Sequence, residues 1–172
     1  MDRTALRADC AQCAALCCVA LAFDRSEHFA HDKPAGEACA MLSACGTCRI
    51  HGERAARGYG GCIVYDCLGA GQRATRMFAG RAWRDDPDVT RALFDAFSRL
   101  RRVHDLLLLL DEAGRLPLTP AQRLACGQLW AMLAAADTPE ALAALECARV
   151  EAQVLQFLAS LKPAASRVRG GG

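Results

Sequence analysis

Cysteines crowd the first part of this chain. Nine of its 11 cysteines fall within the first 67 of 172 residues, and the first four follow the pattern C-x2-C-x3-C-C. So many thiols at gaps of two and three residues exceed what a small core uses and are typical of sites that hold thiophilic metals. The candidate ligands in this region are Cys10, Cys13, Cys17, Cys18, Cys39, Cys45, Cys48, Cys62 and Cys67.

The sequence around these cysteines favours metal binding over disulfide bonds. Residues 1–9 mix acids with arginines and lack the pattern of a signal peptide, and the apolar runs at 14–23 and 106–110 are too short to cross a bilayer of about 30 Å. We therefore expect a reducing, cytoplasmic location, where clustered cysteines bind metals more often than they form disulfides. A disulfide framework is the alternative, and the odd total of 11 cysteines argues against it.

The charge pattern excludes one class of partner. The formal net charge is only +2, and no basic stripe interleaved with aromatic residues occurs. Binding to nucleic acid is therefore not expected, because it depends on a concentrated positive surface.

Two regions of different sequence composition meet near residues 84 and 85. Together they predict a mainly α fold. Residues 1–84 are interrupted repeatedly by glycine and proline, which predicts a loop-rich cysteine module built on an N-terminal helix over residues 4–20. One short strand is expected over residues 62–65, where β-branched and aromatic residues adjoin. Residues 85–163 predict a small antiparallel three-helix bundle packed on this module, and residues 164–172 a flexible tail.

Each predicted bundle helix begins with a capping residue followed by proline. The first helix, from residue 87 to 114, has an apolar seam at three- and four-residue spacing, made by Val89, Leu93, Ala96, Leu100, Val103, Leu107 and Leu110. The third helix, from residue 139 to before Pro163, is expected to turn inward Leu142, Leu145, Ala148, Ala152, Leu155 and Leu158. Cys126 and Cys147 stand alone in these helices and are expected to pack in the core.

The spacing of the first four cysteines predicts which of them can bind the same metal. On a helix, Cys10, Cys13 and Cys17 share one face, so three thiolates converge. Cys18 points about 100° away from Cys17, so it either reaches a second metal or packs. Eight or nine thiolates exceed the needs of one tetrahedral metal, which favours two metals or a multinuclear cluster. Their negative charge would be offset by arginines near in sequence, namely Arg49, Arg54, Arg57 and Arg73.

The spacing of the cysteines resembles that of the YkgJ-like bacterial family of zinc- or iron-chelating proteins. The hallmark of this family is a CxxCxxCC run followed by single cysteines. Residues 17–23, 32–36 and 66–72 are also similar to the cysteine-rich segment attached to actinobacterial pentapeptide-repeat proteins, although this chain has no such repeat. The gap before the Cys-Cys pair is three residues here, where the family commonly has two. The resemblance implies eight metal ligands: Cys10, Cys13, Cys17, Cys18, Cys39, Cys48, Cys62 and Cys67.

Three functions are compatible with such a module. The first is a redox, electron-transfer or sensing protein that holds an iron–sulfur cluster. The cysteine cluster is also similar to one in flagellin lysine methylases, a resemblance that implies an iron–sulfur cluster with an enzymatic role. The second is a structural zinc module that leaves the helical bundle to bind a protein partner. The third is a metal-dependent enzyme with a site between module and bundle, favoured if cysteines line a cavity. Ligation by Cys45 or by His51, three residues after Cys48, is left open.

Overall fold

The computed structural model describes residues 3–81 and 84–161, so the predicted tail at 164–172 lies outside the described residues. Within these ranges the protein is mainly helical, which confirms the predicted fold class. The described chain has isolated β-bridges but no strand, and no helix in it is long and apolar enough to span a membrane. It divides into two compact units: residues 8–98, called here the cysteine unit, and residues 99–161 together with 3–7, called the helical unit.

The cysteine unit is built from short helical segments joined by loops. Its α-helices are α1 (Leu16–Val19), α2 (Gly61–Val64), α3 (Ala70–Met77) and the first part of α4 (Pro87–Gly114). Two single 3-10 turns, Cys10–Gln12 and His51–Glu53, complete it. Because α1 to α3 have four, four and eight residues, none of them is long enough to be stable alone.

The predicted helix over residues 4–20 is wrong, since the backbone changes direction twice within it. The Asp9 side chain accepts a hydrogen bond from the Ala11 N–H and starts a 3-10 turn that ends at Cys13, which is extended at φ −109°. Ala15 then adopts the left-handed region at φ 58°, immediately before α1. Cys10, Cys13 and Cys17 therefore do not share a helical face, and Cys17 is separated from the other two by this bend.

The strand predicted over residues 62–65 is also wrong. This segment forms α2, because the amides of Ile63 and Val64 donate to the carbonyl of Gly60 at 2.9 and 3.2 Å. A strand there would have needed a partner strand, and the Val64 side chain is instead 82% exposed.

The helical unit begins with the second part of α4 and continues through α5 (Pro120–Ala134), α6 (Pro139–Cys147) and α7 (Val150–Ser160). Every residue of the seam predicted for α4 is buried, which confirms that prediction. Thr119 caps α5 with a reciprocal capping box, and α7 packs against both α5 and α6. The N-terminal 3-10 turn at Arg3–Leu6 belongs to this unit, because Arg3 forms ion pairs with Asp111 at 2.9 Å and Glu112 at 2.7 Å.

The third predicted bundle helix is in fact two helices. Arg149 has a left-handed backbone at φ 52°, which ends α6 and restarts the helix as α7. The inward face therefore shifts: Val150 and Val154 are fully buried, whereas Leu155 is 45% exposed. Ala148 and Ala152, which were predicted to point inward, are also exposed.

Candidate functional site

Helix α3 anchors the segment that carries the first cysteines. The Asp9 amide donates to Gln72 Oε1 at 3.1 Å, and the Ala14 amide donates to Thr75 Oγ1 at 2.9 Å. Both acceptors belong to α3, and Cys67 lies in the turn before this helix, where its carbonyl accepts from the Ala70 amide at 2.9 Å. Residues 9–14 and Cys67 are thus brought together although more than fifty residues separate them.

Gly71 marks the place where Cys13 and Cys67 meet. A methyl group at this glycine would lie 2.8 Å from the Cys13 sulfur and 3.6 Å from the Cys67 sulfur. Both sulfurs therefore lie over the same turn of α3, and that position has no room for a larger residue.

Cys10 and Cys17 belong to the same neighbourhood. Partial desolvation raises the pKa of Cys10, and the thiolate charges of Cys17 and Cys67 raise it further. Burial likewise raises the pKa of Cys13, and the charges of Cys17 and Cys67 act on it as well. The first group of cysteines consists of Cys10, Cys13, Cys17 and Cys67.

A second set of cysteines is joined by backbone contacts. The Cys39 amide donates to the Cys18 carbonyl at 2.9 Å. Three residues further on, Leu42 pairs with Cys48 in an antiparallel bridge, which the Arg49 amide extends by donating to the Met41 carbonyl at 2.9 Å. The end of α1, which carries Cys18, is therefore bonded to the loop of Cys39, and the segments around Cys39 and Cys48 are bonded to each other.

Cys62 completes this second set. Burial raises the pKa of Cys62, and the charges of Cys17, Cys39 and Cys48 raise it further. The pKa of Cys18 is raised first by its hydrogen bond to Cys17, then by burial and by the charges of Cys17, Cys39 and Cys48. The second group of cysteines consists of Cys18, Cys39, Cys48 and Cys62.

The two groups touch at Cys17 and Cys18. Their sulfur atoms are 3.8 Å apart, within reach of a thiol–thiolate hydrogen bond. This bond favours the thiolate of Cys17 and lowers its pKa to about 7. The adjacent pair therefore lies at the boundary of the two groups.

Arg54 is the cation shared by the cysteine groups. Its guanidinium donates to the carbonyl oxygens of His51 at 2.8 Å and Cys62 at 3.0 Å. Its positive charge lowers the pKa values of Cys10, Cys17 and Cys62 against the effects that raise them. Of the other arginines predicted to offset thiolate charge, Arg49 donates to the Ala40 carbonyl and Arg57 pairs with Glu53 at 2.9 Å.

Lys33 is a second cation near the cysteines, and sequence reasoning missed it. It is 4% exposed, and its ammonium donates to the carbonyls of Val19, Leu21 and Pro34. Burial lowers its pKa, and the charges of Cys39 and Cys18 oppose this effect. A signal was present, since lysine occurs only twice in a chain with 21 basic residues.

Three other cysteines lie apart from the two groups. Cys45 is exposed, and its sulfur contacts the hydroxyls of Ser43 at 3.0 Å and Thr47 at 3.3 Å. Cys126 is buried and donates to the Leu110 carbonyl at 3.5 Å, which agrees with its predicted role in the core. Cys147 is exposed, so its predicted packing in the core is wrong.

A cavity of about 480 Å³ adjoins the loops of the second group. Val19, Ala38 and Leu42 form part of its wall, and the first two are chain neighbours of Cys18 and Cys39. None of its described lining residues is a cysteine.

The donor chemistry of the two groups fits a thiophilic metal, although the side chains are not arranged around one. Among residues 3–81 and 84–161, no three histidine, cysteine or acidic side chains converge closely enough to hold a metal ion. The raised pKa values of Cys10, Cys13, Cys18 and Cys62 keep these thiols protonated at neutral pH. Metal binding here would have to displace protons and draw the sulfurs together.

These features define a mainly helical protein with a cysteine-rich unit of short segments and two adjoining groups of thiols. No protein-family model matches the chain, and no solved structure matches it. The chain is 39% identical over 109 residues to the uncharacterized protein YybG of Bacillus subtilis strain 168. The match covers 63% of this chain and 39% of YybG, so the chain spans well under half the length of that relative.

Proposed function

We propose that this is a metal-thiolate protein whose cysteine unit binds an iron–sulfur cluster, or more than one metal ion, for redox, electron-transfer or sensing chemistry. The observation that carries the proposal is the gathering of eight cysteines, from Cys10 to Cys67, into two adjoining groups of four. The resemblance to the YkgJ-like family supports the same ligand set. A reducing, cytoplasmic compartment, in which these thiols stay free, is part of the proposal.

The arrangement of charges supports metal binding over simple packing of thiols. Cysteines that act as small apolar residues are satisfied by packing and by a bond such as that from Cys126 to a backbone carbonyl. The two groups instead have Arg54 and the buried Lys33 among them. These cations would offset part of the negative charge that thiolate ligands bring to a metal.

A structural zinc module is the second candidate, and the shortness of the segments favours it. The four-residue helices α1 and α2 and the eight-residue α3 need tertiary contacts to persist. Zinc bound by thiolates supplies such contacts in small units, where metal binding and folding are coupled. In this case the helical unit would present a surface to a protein partner.

Anaerobic purification followed by absorption spectroscopy and elemental analysis tests the proposal. A brown protein with iron and acid-labile sulfide supports the iron–sulfur function, and a colourless protein with stoichiometric zinc supports the structural one. The matched controls are Cys45→Ser and Cys126→Ala, which should keep the full metal content. A folded, metal-free protein that cannot be loaded with either metal would contradict both candidates.

A further inference from the structure

The ammonium of Lys33 is a buried positive charge whose bonded partners are all neutral. The residue is 4% exposed, and its Nζ donates to three backbone carbonyls, those of Val19 at 3.5 Å, Leu21, and Pro34 at 3.1 Å. In the described part of the chain no carboxylate forms an ion pair with it. The charge is therefore held in place without being cancelled.

The backbone around Lys33 fixes where this charge lies. Phe23 and Lys33 form an antiparallel bridge, in which each amide donates to the carbonyl of the other, at 3.0 and 2.8 Å. The side chain then passes over the Phe23 ring, with the ammonium 5.8 Å from the ring centre. Its position follows from these contacts and does not depend on the charge of any thiol.

The same contacts bring the ammonium to Cys18 and Cys39. Val19, which holds the ammonium through its carbonyl, directly follows Cys18 at the end of α1. The Cys39 amide donates to the Cys18 carbonyl at 2.9 Å, and Cys39 is only 9% exposed. The anions available to this cation are therefore thiolates, apart from the exposed Glu37, whose charge acts on it less strongly.

A buried cation without an anion is costly, because carbonyls replace only part of its hydration. A negatively charged centre beside it would offset that cost. Four thiolates on a dication carry a formal charge of −2, whereas two thiolates and two histidines on the same ion carry none. The position of the lysine thus favours the first kind of centre over the second.

We propose that Lys33 is the internal counter-ion of an anionic, all-thiolate metal centre that includes Cys18 and Cys39. This inference rests on the proposed metal-binding function and deepens it, because it gives the sign of the charge on the centre and the residue that compensates it. The histidines of the cysteine unit agree with it. His28 and His51 are exposed, and His31 Nδ1 is hydrogen-bonded to the Tyr59 hydroxyl at 2.8 Å.

The test titrates the full chain, freed of metal under reducing conditions, with cobalt(II), whose absorption reports thiolate ligation. Lys33→Met keeps the length of the side chain and removes its charge. We expect this variant to bind cobalt about tenfold or more weakly than the wild type. The loss should persist in about 1 M salt, which screens surface charges but not a buried one. Arg57→Gln, which removes an exposed cation paired with Glu53, is the matched control and should bind as the wild type does.

The wavelength of the sulfur-to-cobalt charge-transfer band separates a counter-ion from a lysine that only supports its loop. A positive charge beside the sulfurs stabilises their electrons, so its removal in Lys33→Met should move the band to longer wavelength. A purely structural lysine predicts no such shift. Cys39→Ser should lower the intensity of the band, and His51→Ala should leave it unchanged.

A further measurement needs no variant that could fail to fold. The heat of zinc binding to the wild type, measured at pH 7 in buffers of different ionisation enthalpy, gives the number of protons released per zinc. Most thiols are protonated at this pH, so a centre of four thiolates should release more than two protons, and one of two thiolates and two histidines should release two or fewer.

The outcomes separate this inference from the proposed function. Unchanged affinity and wavelength in Lys33→Met, lower intensity in His51→Ala, or release of two or fewer protons would overturn the counter-ion while leaving metal binding intact. A wild type that binds neither cobalt nor zinc, and no iron–sulfur cluster, would overturn the proposed function together with the inference.

Discussion

Arg54 contributes a positive charge where two groups of thiols adjoin, and its guanidinium is held by the carbonyls of His51 and Cys62. A cation held in this way favours thiolates over thiols, because the deprotonated form gains its attraction. Its effect on metal binding therefore follows from its effect on the pKa values of the cysteines.

Replacing Arg54 with glutamine should weaken metal binding at neutral pH. Without the guanidinium the pKa values of Cys10, Cys17 and Cys62 rise, so more protons must be displaced by the metal. A rise of about one unit in one ligand corresponds to about tenfold in affinity. Competition with a chelator at pH 7 measures the change.

Arg57→Gln is the matched control, because Arg57 pairs with the exposed Glu53. This variant should keep wild-type affinity within about twofold. Equal weakening in both variants would show that the effect of Arg54 is only that of general surface charge.

Cys45 should be the fastest exposed thiol to react near neutral pH. Hydrogen bonds from the hydroxyls of Ser43 and Thr47 favour its thiolate and lower its pKa to about 7. About half of it is thus ionised at pH 7, and its alkylation rate should level off as the pH rises above that value. Mass spectrometry of the metal-loaded protein measures the rate, with the exposed Cys147 as the internal reference.

Removing the Ser43 hydroxyl by substitution with alanine should raise the pKa of Cys45 and slow its alkylation at pH 7. The pKa of Cys45 rises because its thiolate is less stable without this hydrogen-bond donor. A rate unchanged in Ser43→Ala would show that the hydroxyl does not activate this thiol.

Helix α3 supports the first group of cysteines through a single small residue. Alanine at Gly71 would place a methyl 2.8 Å from the Cys13 sulfur, so the sulfur or the helix must move. We expect Gly71→Ala to lower metal content and to cost about 1–3 kcal/mol of stability, the usual range for overpacking. Elemental analysis and thermal unfolding measure the two effects.

Gly127 of α5 provides the matched control. A methyl there would meet nothing within 4 Å, so Gly127→Ala should stabilise the protein by about 0.5–1 kcal/mol through helix propensity. Its metal content should not change. If Gly71→Ala keeps full metal and wild-type stability, the close approach of Cys13 to α3 is not a constraint.

The sequence predicted helices well where one periodic pattern persists. In α4 the apolar seam repeats without interruption, so burial alone determines the face that turns inward. The break at Arg149 escaped prediction because no glycine or proline marks it, and an arginine seldom adopts positive φ. The helix predicted at the N-terminus is likewise interrupted by local features, namely the cap made by Asp9 and the left-handed turn at Ala15.

The sequence predicted the candidate ligands but could not predict which of them the fold brings together. Spacing and resemblance selected the eight cysteines, whereas their division depends on contacts such as those of Cys13 and Cys67 over Gly71. Such contacts join residues more than fifty positions apart, which no local pattern records. The cations near the cysteines could not be predicted fully for the same reason. Lys33 comes close to Cys39 only through the folding of its loop.

The two units should respond differently when metal is removed. In the cysteine unit, α1 to α3 are too short to persist alone, and a structural metal contributes on the order of 10 kcal/mol to small units. Chelation should therefore raise amide exchange in residues 8–81 by about a hundredfold or more. Hydrogen exchange with mass spectrometry measures this change.

Helices α5 to α7 serve as the internal control, since they lie in the helical unit and contain none of the eight proposed ligands. Their exchange should change by less than about threefold. Full protection of residues 8–81 after elemental analysis has confirmed metal removal would refute a structural role for the metal.

The ion pairs of Arg3 bear on how the chain folds as it is synthesised. Arg3 leaves the ribosome 109 residues before its partner Glu112, and the whole cysteine unit emerges in between. The helical unit cannot gain this contact until the residues between them have been translated. The order of synthesis therefore lets the contacts within the cysteine unit form before the ion pair of Arg3 and Glu112 can.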